Sequence, residues 1–290
     1  MSKNAAAKIP VIEQIANLSM KLSRPYLADY GATTSRHDFT QRQLLTCLVL
    51  RVYLKTTYRG VLDVLATSDG LRRCLGLEGK MPHYTTLQKF SARSKVVAIV
   101  LKVVAAIGQQ ALKLEEGEVA MDGTGLSRRT VSEYYSRRSG RKIRGWVKLS
   151  AIVLCGSLLP LAFVVDLKPT NDRRHAQELL AQVEAIGTPT KLYADRGYDC
   201  EEIHVQCREK LGVESFIPPI QRRADGKIGG KWRSQMTPEK LAKAKFGRRW
   251  TVESYFSALK KTMGSAVSAR NPQQMLVEAA LKVLTYALRR

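Results

Sequence analysis

The order of apolar segments between residues 116 and 264 constrains the fold more than any other feature of the chain. Three β-rich runs come first: Glu118 to Thr124, Val147 to Leu154 and Leu158 to Leu167. The last two are joined by Gly156-Ser157, which reads as a hairpin turn. A helix-patterned segment follows, Asn171 to Ile186, with Asn or Asp capping its start and Gly187 and Pro189 closing it. Next come a strand at Lys191 to Asp195, a helix at Glu201 to Leu211 stopped by Gly212, and a strand at Glu214 to Ile217 stopped by Pro218-Pro219. A loop-like stretch, 220–238, carries Gly226, Gly229, Gly230 and five basic residues, and an amphipathic helix follows it. Three strands in a row, then helix and strand in alternation, predict an α/β fold with a mixed sheet flanked by helices.

Residues 1–115 read differently. Gln41 to Tyr53 has apolar residues at 44, 45, 48, 49 and 52, the spacing of an amphipathic helix. Val61 to Ala66 predicts a short helix, His83 to Leu87 opens another with a Thr cap, and Ser94 to Leu112 is long and mostly apolar. The division expected is an all-helical N-terminal domain over 1–115 and a sheet domain over 116–290. The second contains a short basic insertion at about 220–245 and ends in a helix opened by Asn271-Pro272. No apolar run reads as long enough to cross a membrane; the longest, 149–165, is broken by Cys155-Gly156-Ser157 and Pro160. The first residues lack the apolar core of a signal peptide, so the expected location is cytoplasmic, associated with the nucleoid.

Charge narrows the choice of partner. The chain carries 48 Lys and Arg against 25 Asp and Glu, a net charge of +23. Residues 1–115 hold 17 basic and 7 acidic side chains, 116–220 hold 15 and 14, and 221–290 hold 16 and 4. A nearly neutral centre between two basic ends suits a protein that grips a polyanion around an acidic site. A ribosomal or membrane-surface role competes with that reading, but the ordered core pattern argues against a simple basic tail. The charge favours DNA binding by the N-terminal helices over a purely packing role. Residues 127–148 add a basic loop, with Arg137, Arg138, Arg141 and Lys142 among eight cations and Tyr134, Tyr135 and Trp146 interleaved. That mixture fits contact with a nucleic-acid backbone. Cys200, His204 and Cys207 lie close in sequence but have no fourth partner nearby, and the five cysteines are expected to be free thiols.

Three carboxylates fall where ligands collect in such sheets. Asp122 and Asp195 each end a short apolar strand, and Glu253 lies on the helix after the last strand. On a helix spanning Phe246 to Lys260, Arg249, Glu253 and Lys260 fall within about 40° of one another, beside the apolar sector of Val252, Tyr255, Phe256, Leu259 and Met263. Carboxylates gathered together repel unless cations neutralise them. Mg²⁺ is held by one or two carboxylates with waters and phosphate oxygens, which fits such a set. Arg249 and Lys260 would then meet phosphate. Asp before Gly is also common in plain turns, so each Asp alone signals little.

The combination resembles the DDE transposases of bacterial insertion sequences. Asp122-Gly123-Thr124 matches their first Asp context, and Ala194-Asp195-Arg196-Gly197-Tyr198 the second. Arg249, Glu253 and Lys260 match the Arg, Glu and Lys of their Tyr-Arg-Glu-Lys signature at its spacing, while Phe246 stands where the family has Tyr and lacks the hydroxyl. Tyr58-Arg59-Gly60 with the apolar helix after it, and His83 to Leu87, resemble the N-terminal region of these proteins. The resemblance implies a ribonuclease-H-like catalytic domain that cuts the ends of a mobile element and joins the freed 3′ ends to target DNA. It implies two Mg²⁺ or Mn²⁺ ions on Asp122, Asp195 and Glu253, phosphate contacts from Arg249 and Lys260, double-stranded DNA as partner, a homodimer on DNA, and no membrane. A structure-selective nuclease on the same fold and a non-catalytic DNA-binding relic are the rival readings.

Overall fold

In the computed structural model, residues 9–290 are described except 35, 78, 129–137, 139–144, 169–171 and 223. Among the described residues, six α-helices come first: α1 (Val11–Ser23), α2 (Gln41–Tyr53), α3 (Tyr58–Thr67), α4 (Asp69–Leu75), α5 (Tyr84–Ser91) and α6 (Lys95–Leu112). Side chains start several of them. Thr40 and Gln43 form a reciprocal capping box on α2, and Thr57 and Ser68 cap α3 and α4. The expected Thr cap on α5 is absent: His83 is the cap residue, its backbone extended, and its Nδ1 pairs with Thr85 Oγ1 at 2.8 Å.

The sheet contains β1 (Glu118–Arg128), β2 (Trp146–Leu154), β3 (Pro160–Asp166), β4 (Lys191–Ala194), β5 (Glu214–Phe216) and β6 (Ala266–Val267). Its order is β3-β2-β1-β4-β5, with β6 pairing β1 off that path. β1, β2 and β3 are antiparallel neighbours, while β4, β5 and β6 join in parallel. Among the described residues, the α-helices after these strands begin are α7 (Asp172–Glu184), α8 (Glu201–Val205, continued by a wider turn over Gln206–Lys210), α9 (Pro238–Lys243), α10 (Trp250–Met263) and α11 (Pro272–Arg289). A mixed sheet flanked by helices, preceded by helices, is therefore the fold.

Strand alternation separates two faces. Val119, Met121, Ile152 and Leu154 pack with α7 residues Leu179, Leu180 and Val183. Ala120, Leu126, Val147, Leu149, Ala151 and Val153 face the other way, into a core shared by α10, α11 and the N-terminal helices. That second core is continuous across residue 115, running from Leu45 and Leu48 of α2 to Leu281 and Leu284 of α11. A buried ion pair, Arg51 to Glu278 at 3.2 Å, joins the same two helices. The Glu278 oxygens also accept the backbone N–H groups of Ser268 and Ala269 just after β6.

Helix α6 corrects one sequence expectation. Lys95–Leu112 is long and apolar enough to cross a membrane by length and composition. Here its Val96, Val100, Val103 and Val104 are buried, and the helix lies against β3 and α11. Gly108 makes that approach possible, because a Cβ there would sit 2.8 Å from both Leu161 Cδ2 and the Pro160 carbonyl oxygen. Gly108→Val is expected to cost about 2 kcal/mol through overpacking, read as a lower urea midpoint with an unchanged slope. An unshifted midpoint would mean that α6 moves off β3 without penalty.

Candidate active site

The three carboxylates arrive by different routes. Asp122 was expected at a strand end, but β1 runs on to Arg128 because β2 pairs with it from Val119 to Ser127. What ends at Asp122 is its parallel neighbour: the β1–β4 register stops at Met121–Ala194, and Asp195 leaves the sheet to begin a 3-10 turn over Arg196–Tyr198. Parallel pairing on that side resumes only at Ser127 and Arg128, with β6. Residues 122–126 thus border a gap between β4 and β6. Asp122 and Asp195 sit on adjacent strands, one position past the last paired residues.

Alternation tells which face they take. Ala120 and Tyr193 point into the core covered by α10, so Asp122 and Asp195, two residues on, share that face. Thr124, two further, confirms it: Lys260 Nζ of α10 donates to Thr124 Oγ1 at 2.6 Å. Both aspartates are half-buried. Each has an oxygen fixed by a nearby N–H: Asp122 Oδ1 accepts from Gly123 at 2.7 Å, and Asp195 Oδ1 from Gly197 at 2.8 Å. Turn chemistry and site placement therefore coexist in the same two residues.

Glu253 is carried by α10, and the segment before it departs from the expected single helix. Lys245 takes a left-handed backbone (φ 57°), Phe246–Arg249 form a 3-10 turn, and the α-helix begins only at Trp250. Phe246 is half-buried against the main core. An ionic cluster fixes this entry. Glu118 binds Lys191 at 2.9 Å and Arg248 at 2.5 Å, and Tyr193 donates to the Ala244 carbonyl at 2.8 Å. Burial opposes the Glu118 charge, but Lys191, Arg248 and the Tyr193 hydroxyl outweigh it and hold the carboxyl below the usual range.

Arg249 and Lys260 are engaged within the protein. Arg249 Nη2 meets Glu253 Oε1 at 2.7 Å, across one turn of helix, and Lys260 holds Thr124. Burial lowers the pKa of Lys260. Of the four cations singled out in the basic loop, Arg138 is exposed, while Arg137, Arg141 and Lys142 lie outside the described residues. Among the described residues, no three His, Cys, Asp or Glu side chains form a ready ligand set for a metal. The donor chemistry still fits a hard divalent cation. Two carboxylates on neighbouring strands are enough for Mg²⁺, which completes its shell with water and phosphate oxygens. Glu253 stays with Arg249 in this arrangement.

Other constellations are structural. Ser150 Oγ pairs with His175 Nδ1 at 2.9 Å, and His175 Nε2 lies 3.5 Å from Asp166, but Ser150 is wholly buried and no substrate can reach its hydroxyl. His204 is buried with Nδ1 on Ser215 Oγ at 2.7 Å, and burial followed by the Arg208 charge depresses its pKa to about 4. The sequence reading missed Asp199. It is fully buried and binds Arg233 through Nε at 2.6 Å and Nη2 at 2.7 Å, Arg222 at 3.2 Å and the Ile220 N–H at 2.8 Å. Glu201 accepts the N–H groups of Trp232 and Arg233. These bonds strap the basic insertion to the turn just after Asp195. Its many Arg and Lys were a visible signal; their acidic partners were not.

Asp122 and Asp195 thus follow the last paired residues of adjacent parallel strands, Lys260 of α10 reaches Thr124 on the same face, and Glu253, on the same helix, is held by Arg249. Residues 113–288 match the transposase DDE domain family, and the chain belongs to it. No curated protein matches the sequence. Among solved structures, the cryo-EM structure of a piggyBac transposase synaptic complex with hairpin DNA is similar at 10% identity, with a TM-score of 0.46, covering 96% of this chain and 72% of that one.

Proposed function

We propose that this protein is a transposase that cuts the ends of a bacterial insertion sequence and joins the freed 3′ ends to target DNA, on a ribonuclease-H-like catalytic domain. The observation that carries the reading is the β1–β4 register, which puts Asp122 and Asp195 side by side on the face that α10 covers. Asp122, Asp195 and Glu253 would hold two Mg²⁺ or Mn²⁺ ions. Bound there, such ions would supply activation of water or a 3′-hydroxyl and stabilisation of the leaving oxygen in an in-line displacement. The protein's own part is to hold the carboxylates oriented. The N–H groups of Gly123 and Gly197 fix the two aspartates, and Arg249 fixes Glu253. Arg249 and Lys260 bring positive charge to where phosphate would lie.

The partner in this reading is double-stranded DNA, as element end and as target, and the net charge of +23 supports it. The helices of 1–115 would form a DNA-binding domain, with Arg137, Arg138, Arg141 and Lys142 adding backbone contacts. The protein would act as a homodimer on DNA, in the cytoplasm, at the nucleoid. The test uses a plasmid carrying the DNA that flanks the gene. Wild-type protein is expected to nick and join it only with Mg²⁺ or Mn²⁺. Asp195→Asn is expected to lose cleavage by about 10²-fold or more while still shifting the same DNA in a gel. Cleavage undiminished in Asp195→Asn would refute the assignment.

A further inference from the structure

The basic insertion turns two of its cations inward, onto Asp199. Arg233 binds that carboxylate through Nε at 2.6 Å and Nη2 at 2.7 Å. The same guanidinium donates to the carbonyl of Gly229 at 3.0 Å and to that of Ile220 at 3.1 Å. Arg233 therefore ties two points of the insertion to a carboxylate outside it. Arg222 adds a bond to the Asp199 carbonyl at 2.8 Å. A buried ion pair gives little net stability over apolar packing of the same volume. What a guanidinium with four such bonds does fix is direction.

The direction fixed is that of the turn behind Asp195. Asp122 lies within a strand, opposite Ala151 of β2. Asp195 lacks that support, because the pairing of β4 with β1 ends at Ala194. Its carboxylate is oriented by the residues that follow instead. The Gly197 N–H holds Oδ1, the Tyr198 N–H donates to the Asp195 carbonyl at 3.1 Å, and the Asp199 N–H to the Arg196 carbonyl at 3.0 Å. The carboxylate lies so close to Gly197 that a Cβ there would stand 2.9 Å from Oδ1. Tyr198 roots the turn in the core on the α7 side of the sheet, and Asp199 closes it. We propose that Arg233 is a positioning residue for a divalent cation: through Asp199 it holds the turn over 196–198 so that the Asp195 carboxylate meets the ion beside Asp122. The inference deepens the reading above and rests on it. Groups that orient a ligand are worth roughly 10–100-fold in metal affinity. A ligand on a loop depends on them more than one on a strand.

The test is binding of Mn²⁺ alone to the full chain, without DNA, followed by loss of the free-ion signal in electron paramagnetic resonance. Wild type is expected to bind the ion and Asp195→Asn to lose most of that affinity. Arg233→Met is expected to bind Mn²⁺ about tenfold more weakly. Arg233→Lys keeps a cation at Asp199 without the two-pronged fit, and should be about threefold weaker than wild type. Gly108→Val is the control: it weakens packing on β3, at one edge of the sheet, and its Mn²⁺ affinity should stay that of wild type. Wild-type affinity in Arg233→Met overturns the proposal. So does an equal loss in Gly108→Val, which would make affinity follow global stability. Should Arg233→Met fail to fold, Arg233→Lys decides, and wild-type affinity in it overturns the proposal. If Asp195→Asn loses the ion while the Arg233 variants keep it, this inference alone fails. If Asp195→Asn binds Mn²⁺ as wild type does, the carboxylate site fails and this inference with it.

Discussion

Glu253→Gln is expected to lower Mg²⁺-dependent strand cleavage by roughly 10²–10³-fold and to leave DNA binding and stability almost untouched. The substitution keeps the shape of the side chain and removes its charge. Glu253 is 39% exposed and its pair with Arg249 spans one turn of helix, so losing the pair costs only ~0.3–0.5 kcal/mol. The fold therefore survives the change, and any large loss of rate belongs to the chemistry. The measurement is a nicking time course on supercoiled plasmid beside a urea midpoint. A rate within threefold of wild type would take Glu253 out of the site and leave Asp122 and Asp195 as its acidic members. The converse pattern, a large fall in midpoint, would mean that the Arg249 pair anchors α10.

The second large effect is on stability. Asp199→Asn is expected to destabilise the protein by about 3 kcal/mol, because it leaves Arg233, only 12% exposed, without its buried counter-charge. The insertion over 220–235 should loosen first, seen as faster proteolysis there. Acid pH provides an independent check. Burial raises the cost of charging Asp199, but the Arg233 bonds, the Ile220 N–H and the two guanidinium charges outweigh it and lower its pKa. A carboxyl depressed in the folded state adds stability that is present above its unfolded pKa of about 3.9 and is lost as pH falls through the folded value. Wild type should therefore lose stability below about pH 4 more steeply than Asp199→Asn. Parallel acid slopes for the two proteins would mean that the carboxyl is not held by those arginines.

The strand and helix order was legible because each segment buries one face, and burial imposes a period of two or of nearly four on the sequence. Gln41 to Tyr53, the Gly156-Ser157 hairpin and the final helix after Asn271-Pro272 all lie where their patterns put them. Less legible was what depends on a neighbour. β1 was read as ending near Thr124, yet β2 carries it to Arg128, since strand length is set by the partner available to pair. The two-residue β6 is too short to leave a pattern. Phe246 to Lys260 reads as one helix by periodicity, but the left-handed Lys245 and the Glu118–Arg248 pair make its first turn a 3-10 entry.

By itself, then, the sequence determined the mixed sheet, the helical start and the excess of positive charge, and it singled out Asp122, Asp195 and Glu253 as candidate carboxylates with Arg249 and Lys260 on the helix of the third. These follow from periodicity, composition and spacing, which are properties of the chain alone. Tertiary structure decided which groups meet. The β1–β4 register set Asp122 beside Asp195, and α10 brought Lys260 onto Thr124 from 136 residues away. Asp199 acquired Arg222 and Arg233 in the same way. Such contacts are fixed by packing of distant segments, and no local rule of helix or strand encodes them.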